Sequence, residues 1–229
     1  MLDALVTAAF WIAIAKIAWI DILLSGDNAV VIALAARDLP AERQKQAIIF
    51  GSLGAIVLRI VLIFFAVALL NLPYLKIVGA LLLVWIGIQL LRGDDEKKNV
   101  DPAKDLIAAV RTILVADLVM SVDNVIAVAA VAETAPPASR LLVLLIGLGL
   151  TIPLIMFGSR LLLRAMQRFP IIITAGAALL GFVAGEMAAT DPLLARFDAD
   201  EGWHPYALGG ALGVVVVAFG TLLKRRSHA

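Results

Sequence analysis

Residues 141–159 run nineteen positions without one charged side chain, and residues 205–223 do so again. At 1.5 Å per residue that is the length needed to cross a hydrocarbon layer roughly 30 Å thick. Composition agrees: 62% of the 229 residues are hydrophobic and 16% charged, against roughly half and a quarter in soluble domains. The chain therefore reads as a polytopic protein of the lipid bilayer, with little room for a soluble domain. No cysteine occurs, so disulfide, zinc–thiolate and iron–sulfur chemistry drop out. The net charge of +1 is uninformative, and no basic cluster interleaved with aromatics marks a nucleic-acid partner. The opening MLDALVTAAFWIAIAK lacks a basic n-region and reads as an uncleaved first span.

Hydropathy and helix breakers predict an all-α fold, one transmembrane domain of seven helices. They cover residues 7–36, 46–70, 73–91, 106–132, 140–163, 170–190 and 205–223. The longest connections are 92–105 and 191–204. With the N-terminus outside, the inner side receives Arg37, Arg43, Lys45, Arg92, Lys97, Lys98, Lys104, Arg164, Arg168, Lys224, Arg225 and Arg226. The outer side receives only Lys76, Arg140 and Arg196. Twelve against three is a positive-inside bias, which predicts a multi-pass protein of the cell inner membrane, N-terminus outside and C-terminus in the cytoplasm.

Inside these apolar spans a polar pattern occurs twice. Residues 21–36 read DILLSGDNAVVIALAA and residues 117–132 read DLVMSVDNVIAVAAVA. Asp21, Ser25, Asp27 and Asn28 match Asp117, Ser121, Asp123 and Asn124 at an offset of 96, and Gly51 matches Gly147 at the same offset. One residue later Gly79 and Ala80 match Gly176 and Ala177, and Gln89 falls opposite Glu186. Each copy is a three-helix unit, repeat one over about 7–91 and repeat two over about 106–190. A cytoplasmic linker, 92–105, joins them, and a final helix, 205–223, follows. Three is odd, so the second copy enters the membrane upside down, the inverted-repeat plan of many secondary transporters.

Carboxylates in hydrocarbon are costly and mark function by default. An axis in the membrane plane would bring the two Asp-Asn pairs together at mid-depth. Asp21 and Ser25 share a helix face, as do Asp117 and Ser121, whereas Asp27 lies about 120° around the helix from Asp21. Local unwinding at Ser25-Gly26 would let all of them point into one cavity. Val122 replaces Gly26 in the second copy, so any break is expected to be clearer in helix one.

The donors are all oxygen: carboxylates, amides and hydroxyls. Hard donors suit Mg²⁺, Ca²⁺ or Mn²⁺ rather than Zn or Cu. The alternative is that these groups merely bond helices to one another. Ser25 and Ser121 are supporting candidates that can equally bond back to their own helices. Glu186 is a candidate for the proton or access path. Arg59, inside helix two, is expected to pair with one of the carboxylates. Gly181-xxx-Gly185 and Gly209-xxx-Gly213 read as close packing that serves the bundle or a homodimer. No resident cofactor is expected, and neither a GxxxxGK[ST] loop nor an HExxH motif or Ser/His pair argues for an enzyme. Export of a divalent cation against an inside-negative potential costs about 4.6 kcal/mol per 100 mV, so protons are the expected counter-ion.

At the SGDN and SVDN motifs the chain resembles the TerC family of bacterial integral membrane proteins, in particular its compact YjbE-like branch, over essentially its whole length. The resemblance implies divalent metal handling, chiefly Mn²⁺ efflux. Carried onto this sequence it implies Asp27, Asn28, Asp123 and Asn124 as ion-handling positions, with Asp21 and Asp117 as supporting carboxylates. Some relatives are described in metal loading of exported proteins or in membrane-complex biogenesis. The expected function is thus a manganese-exporting antiporter. The alternatives are a calcium or other cation exchanger, and a membrane assembly factor that supplies metal to exported proteins.

Overall fold

A computed structural model describes residues 7–70, 74–92, 102–135, 139–194 and 204–227. The side chains of 66–70, 102–104, 123, 126, 133, 226 and 227 lie outside it. Most of the linker 92–105 and the acidic residues Asp198, Asp200 and Glu201 also fall outside the described residues.

The described residues form helices and turns, with no strand. In order they are α1 (Ala8–Leu24), α2 (Gly26–Ala36), α3 (Ala41–Leu70), α4 (Leu75–Arg92), α5 (Pro102–Glu133), α6 (Arg140–Arg168), α7 (Ile171–Ala189) and α8 (His204–Ser227). The Thr7 hydroxyl starts α1 by accepting from the Phe10 N–H at 3.4 Å, which satisfies one orphan donor of the first turn. Several helices outrun the apolar windows read from sequence. α3 begins at Ala41 rather than 46, just after Pro40, whose carbonyl accepts from Gln44 N–H at 2.9 Å. Glu42, Arg43, Gln44 and Lys45 are good helix formers, so the helix continues where hydropathy has already fallen.

The single helix expected over 7–36 is two. α1 stops at Leu24, Ser25 sits at φ −108° and ψ 9°, and α2 leaves at 54° to α1. By contrast α5 runs unbroken through the second motif for 32 residues. Among the described residues five helices are long and apolar enough to cross a membrane, namely α3, α4, α6, α7 and α8, and the bent pair α1–α2 makes a sixth. The remaining long helix, α5, carries Asp105, Arg111, Asp117 and Asp123 along its length.

Packing divides the bundle into two apolar clusters. One gathers Leu34 of α2, Leu83 and Ile86 of α4, Ile113 of α5 and Leu180 of α7. The other joins Phe10, Ile14 and Ile17 of α1 to Ile56 of α3, Val128 of α5 and Leu148 of α6. Large apolar side chains such as Trp19, Phe64, Phe157 and Ile171 face outward and are more than half exposed, as a bilayer-facing surface requires and a water-facing one would not tolerate.

Helix pairing is close where glycine allows it. A Cβ at Gly51 would meet Ile113 at 2.7 Å, and one at Gly147 would meet Ile17 at 2.6 Å. α8 lies against α7 backbone to backbone, since a Cβ at Gly185 would sit 2.4 Å from the Gly209 nitrogen and one at Gly181 2.6 Å from the Leu212 oxygen. The paired glycines of α7 and α8 therefore pack within the bundle. At the far end of α7 the buried Asp191 carboxylate accepts from the backbone N–H of Tyr74 at 3.4 Å and of Leu193 at 3.0 Å. That ties the start of α4 to the end of α7.

Candidate functional site

Where α1 gives way to α2, the helical ladder is interrupted. The Asn28 N–H, which would bond the Leu24 carbonyl in a continuous helix, instead donates to the Asp27 carboxylate at 2.8 Å. Ala29 N–H then returns to the Ser25 carbonyl at 3.3 Å. The released Leu24 carbonyl accepts from the Asn124 side-chain amide of α5 at 3.2 Å. The break is thus stabilised by the acid and the amide of the two motifs, one group from each copy.

Deeper in the bundle lies a charged cluster. Arg59 of α3 is 1% exposed, and its guanidinium reaches both copies. One terminal nitrogen donates to Asp21, with the Ser25 hydroxyl 3.1 Å away, and the other donates to Asp117 at 2.9 Å. Its Nε donates to the Ser121 hydroxyl at 3.2 Å. Ser25 donates to Asp21 at 3.2 Å and Ser121 to Asp117 at 3.1 Å, each across one helical turn. The second Asp21 oxygen accepts from Thr151 of α6 at 2.5 Å. All four carboxylate oxygens are engaged. A planar fork of donors suits such a double carboxylate contact better than the point charge of a lysine. Two carboxyl groups thus share one guanidinium.

A separate cavity of about 640 Å³ is lined by Leu24, Asp27, Met120, Asn124, Phe182 and Glu186, with Thr190, Pro205 and Tyr206 at one end of the bundle. The sequence-derived candidates consequently divide. Asp27, Asn124 and Glu186 share the cavity, while Asp21, Ser25, Asp117 and Ser121 are held by Arg59. Asn28 is buried at 4% exposure, and neither polar atom of its side chain has a hydrogen-bond partner among the described residues. Asp123 lies in α5 with its side chain outside the described residues. Among the described residues no three His, Cys, Asp or Glu side chains gather as a cluster able to hold a metal ion.

The family model for the integral membrane protein TerC family matches residues 6–228. The chain belongs to the TerC family. It is 40% identical over 210 residues to the uncharacterized membrane protein YjbE of Bacillus subtilis (strain 168), covering 92% of each chain. Two further B. subtilis proteins, the uncharacterized membrane proteins YceF and YkoY, are each 28% identical to it. The first comparison covers 82% of this chain and 75% of the relative, the second 72% and 56%. No solved structure matches.

This TerC protein is a multi-pass integral membrane protein, as its apolar helices require. Two of its polar contacts escaped the reading of residues. Thr151 lies inside an uncharged run, where a helical hydroxyl can bond back to its own helix. It does so, to the Leu148 carbonyl at 2.7 Å, but it also meets Asp21. A polar side chain two positions before Pro153 was the available signal, because proline frees a carbonyl and loosens the helix there. Arg59 was expected to meet one carboxylate and bridges two.

Proposed function

We propose that this TerC protein is a secondary transporter that exports divalent cations, Mn²⁺ foremost, in exchange for protons. The observation that carries the reading is the meeting of Asp27 and Asn124, one from each copy of the motif, on the wall of the 640 Å³ cavity beside the helix break. The C-terminal end of α1 adds carbonyl oxygens and the negative end of its dipole, both favourable to a cation at mid-membrane. Carboxylate, amide and carbonyl form a hard donor set suited to Mg²⁺, Ca²⁺ or Mn²⁺. The family resemblance is what favours manganese among them. In this reading Asp123 and Asn28 complete the ligand set in the course of transport. Glu186 relays ions or protons along the cavity. Asp21 and Asp117, held by Arg59, act as supporting carboxylates that position the motif helices.

The inverted-repeat arrangement is part of the proposal and has packing behind it. Ile113 stands 96 positions after Ile17, and each fills the space beside the glycine of the opposite copy, Gly51 or Gly147. α3 lies along α5, and its counterpart α6 lies along α1 and α2. The twelve-to-three distribution of basic residues supports an inner-membrane protein whose cavity mouth at Thr190 and Tyr206 faces outward. Exchange of two protons inward for each Mn²⁺ outward moves no net charge, so a pH gradient can drive export that the potential would oppose.

The test is flux of radiolabelled Mn²⁺ in proteoliposomes containing this protein alone, with Ca²⁺, Mg²⁺, Fe²⁺ and Zn²⁺ as competitors. Flux that collapses with the pH gradient is expected. Flux indifferent to that gradient removes proton exchange, and no flux of any of these ions removes transport.

A further inference from the structure

The cavity beside Asp27 has a much smaller relation at the opposite end of the bundle. A cleft of about 80 Å³ lies where the ends of α2 and α4 meet the start of α5, lined by Leu34, Asp38, Gln89, Leu90, Asp105 and Ala109. The two spaces are built from exchanged parts. The wall supplied to the large cavity by α7, with Glu186 and Met187, is supplied to the cleft by α4, with Gln89 and Leu90, and both pairs stand 97 positions apart. Both spaces have α2 and α5 as their other sides, with Asp27 and Asn124 on the large cavity and Leu34 and Ala109 on the cleft.

The two motif asparagines are unequal in the same sense. Asn124 lines the large cavity and bonds the Leu24 carbonyl. Asn28, its counterpart 96 positions earlier, is buried with both side-chain polar atoms unpartnered among the described residues. Leu34 and Ala109 of the cleft wall and Met120 of the large cavity's wall belong to one buried apolar cluster with Leu83, Ile86 and Ile113. A buried amide short of partners favours any arrangement in which it meets water or a ligand.

We propose that the cleft at Leu34, Gln89 and Ala109 is the second mouth of the ion path, closed in this conformation. A hydrated divalent cation reaches the motif residues from that side when α4 and α7 exchange roles, opening the cleft to Asn28 as the large cavity closes. The inference rests on the transport reading and adds to it which mouth is open here and which residues line the other.

The chain has no cysteine, so single-cysteine variants can be read without further changes. Ala109→Cys marks the cleft and Val183→Cys the large cavity, each probed with a membrane-impermeant maleimide in proteoliposomes labelled from either face. Without added metal, Val183→Cys reacts readily and Ala109→Cys slowly. Labelling rate follows the open population, so Mn²⁺ on the cleft side with an opposing pH gradient speeds Ala109→Cys about tenfold and slows Val183→Cys correspondingly. Ca²⁺ and Mg²⁺ are run in parallel. Rates that stay fixed under every cation and gradient, in variants whose Mn²⁺ flux is intact, overturn the second mouth. Reciprocal rates without flux keep the second mouth and overturn manganese transport. Fixed rates in a protein without flux overturn both.

Discussion

Removing the Arg59 side chain leaves Asp21 and Asp117 buried with no cation between them. Breaking a buried pair from one side costs about 3–5 kcal/mol, most of it the stranded charge. Arg59→Leu should therefore melt well below the wild type in detergent, and adding Asp117→Asn should recover part of the loss because one charge fewer is stranded. A wild-type melting curve for Arg59→Leu would contradict the clamp. Asp27 is a different case. Its hydrogen bond among the described residues is to the adjacent Asn28 N–H, which an asparagine oxygen can replace. Asp27→Asn should abolish Mn²⁺ flux while leaving melting unchanged. Asp21, Ser25, Asp117 and Ser121 were legible in the sequence because duplication marks them against an apolar ground. Their separation from Asp27 was not, since it depends on the bend at Ser25 and on Arg59 arriving from another helix.

The joint between α1 and α2 is where propensity and tertiary bonding meet. Gly26 has open space where a Cβ would go, so Gly26→Ala clashes with nothing, and it favours a continuous helix by roughly 1 kcal/mol. We expect melting to hold or rise while flux falls, measured on the same preparation. Loss of stability instead would show that glycine is required for packing. The sequence allowed for unwinding here more readily than at Val122, where α5 is continuous. It could not indicate the 54° angle, which is set by what the released ends bond: Asp27, Asn124 and the Leu24 carbonyl. The α7–α8 contact has an equally sharp test. Gly185→Leu places side-chain atoms against α8 backbone that cannot yield, whereas Gly210 has nothing near its Cβ position. Gly185→Leu should melt several degrees lower, while Gly210→Ala should match the wild type.

At the scale of the whole molecule, the distribution of lysine and arginine makes a prediction about sidedness. A fluorescent protein fused after residue 229 should light up in cells, and a phosphatase fused there should stay inactive. The reverse result would turn the cavity mouth inward. The all-helical character was readable because each span must be long and apolar, although among the described residues five helices and one bent pair, rather than seven spans, meet that requirement. The partition of space between the two ends was not, because it follows from side-chain packing rather than from hydropathy. One feature of the polar cluster bears on how such a molecule can have arisen. Arg59 has no partner in the other copy, where position 155 is an isoleucine, yet it bonds the matching aspartate of both. Two identical subunits related by a two-fold axis would bring either two guanidiniums to that spot or none. A single one is open only to halves that differ in sequence. For an ancestor assembled from two equal halves, gene fusion or divergence was therefore the step that made this odd charge count available.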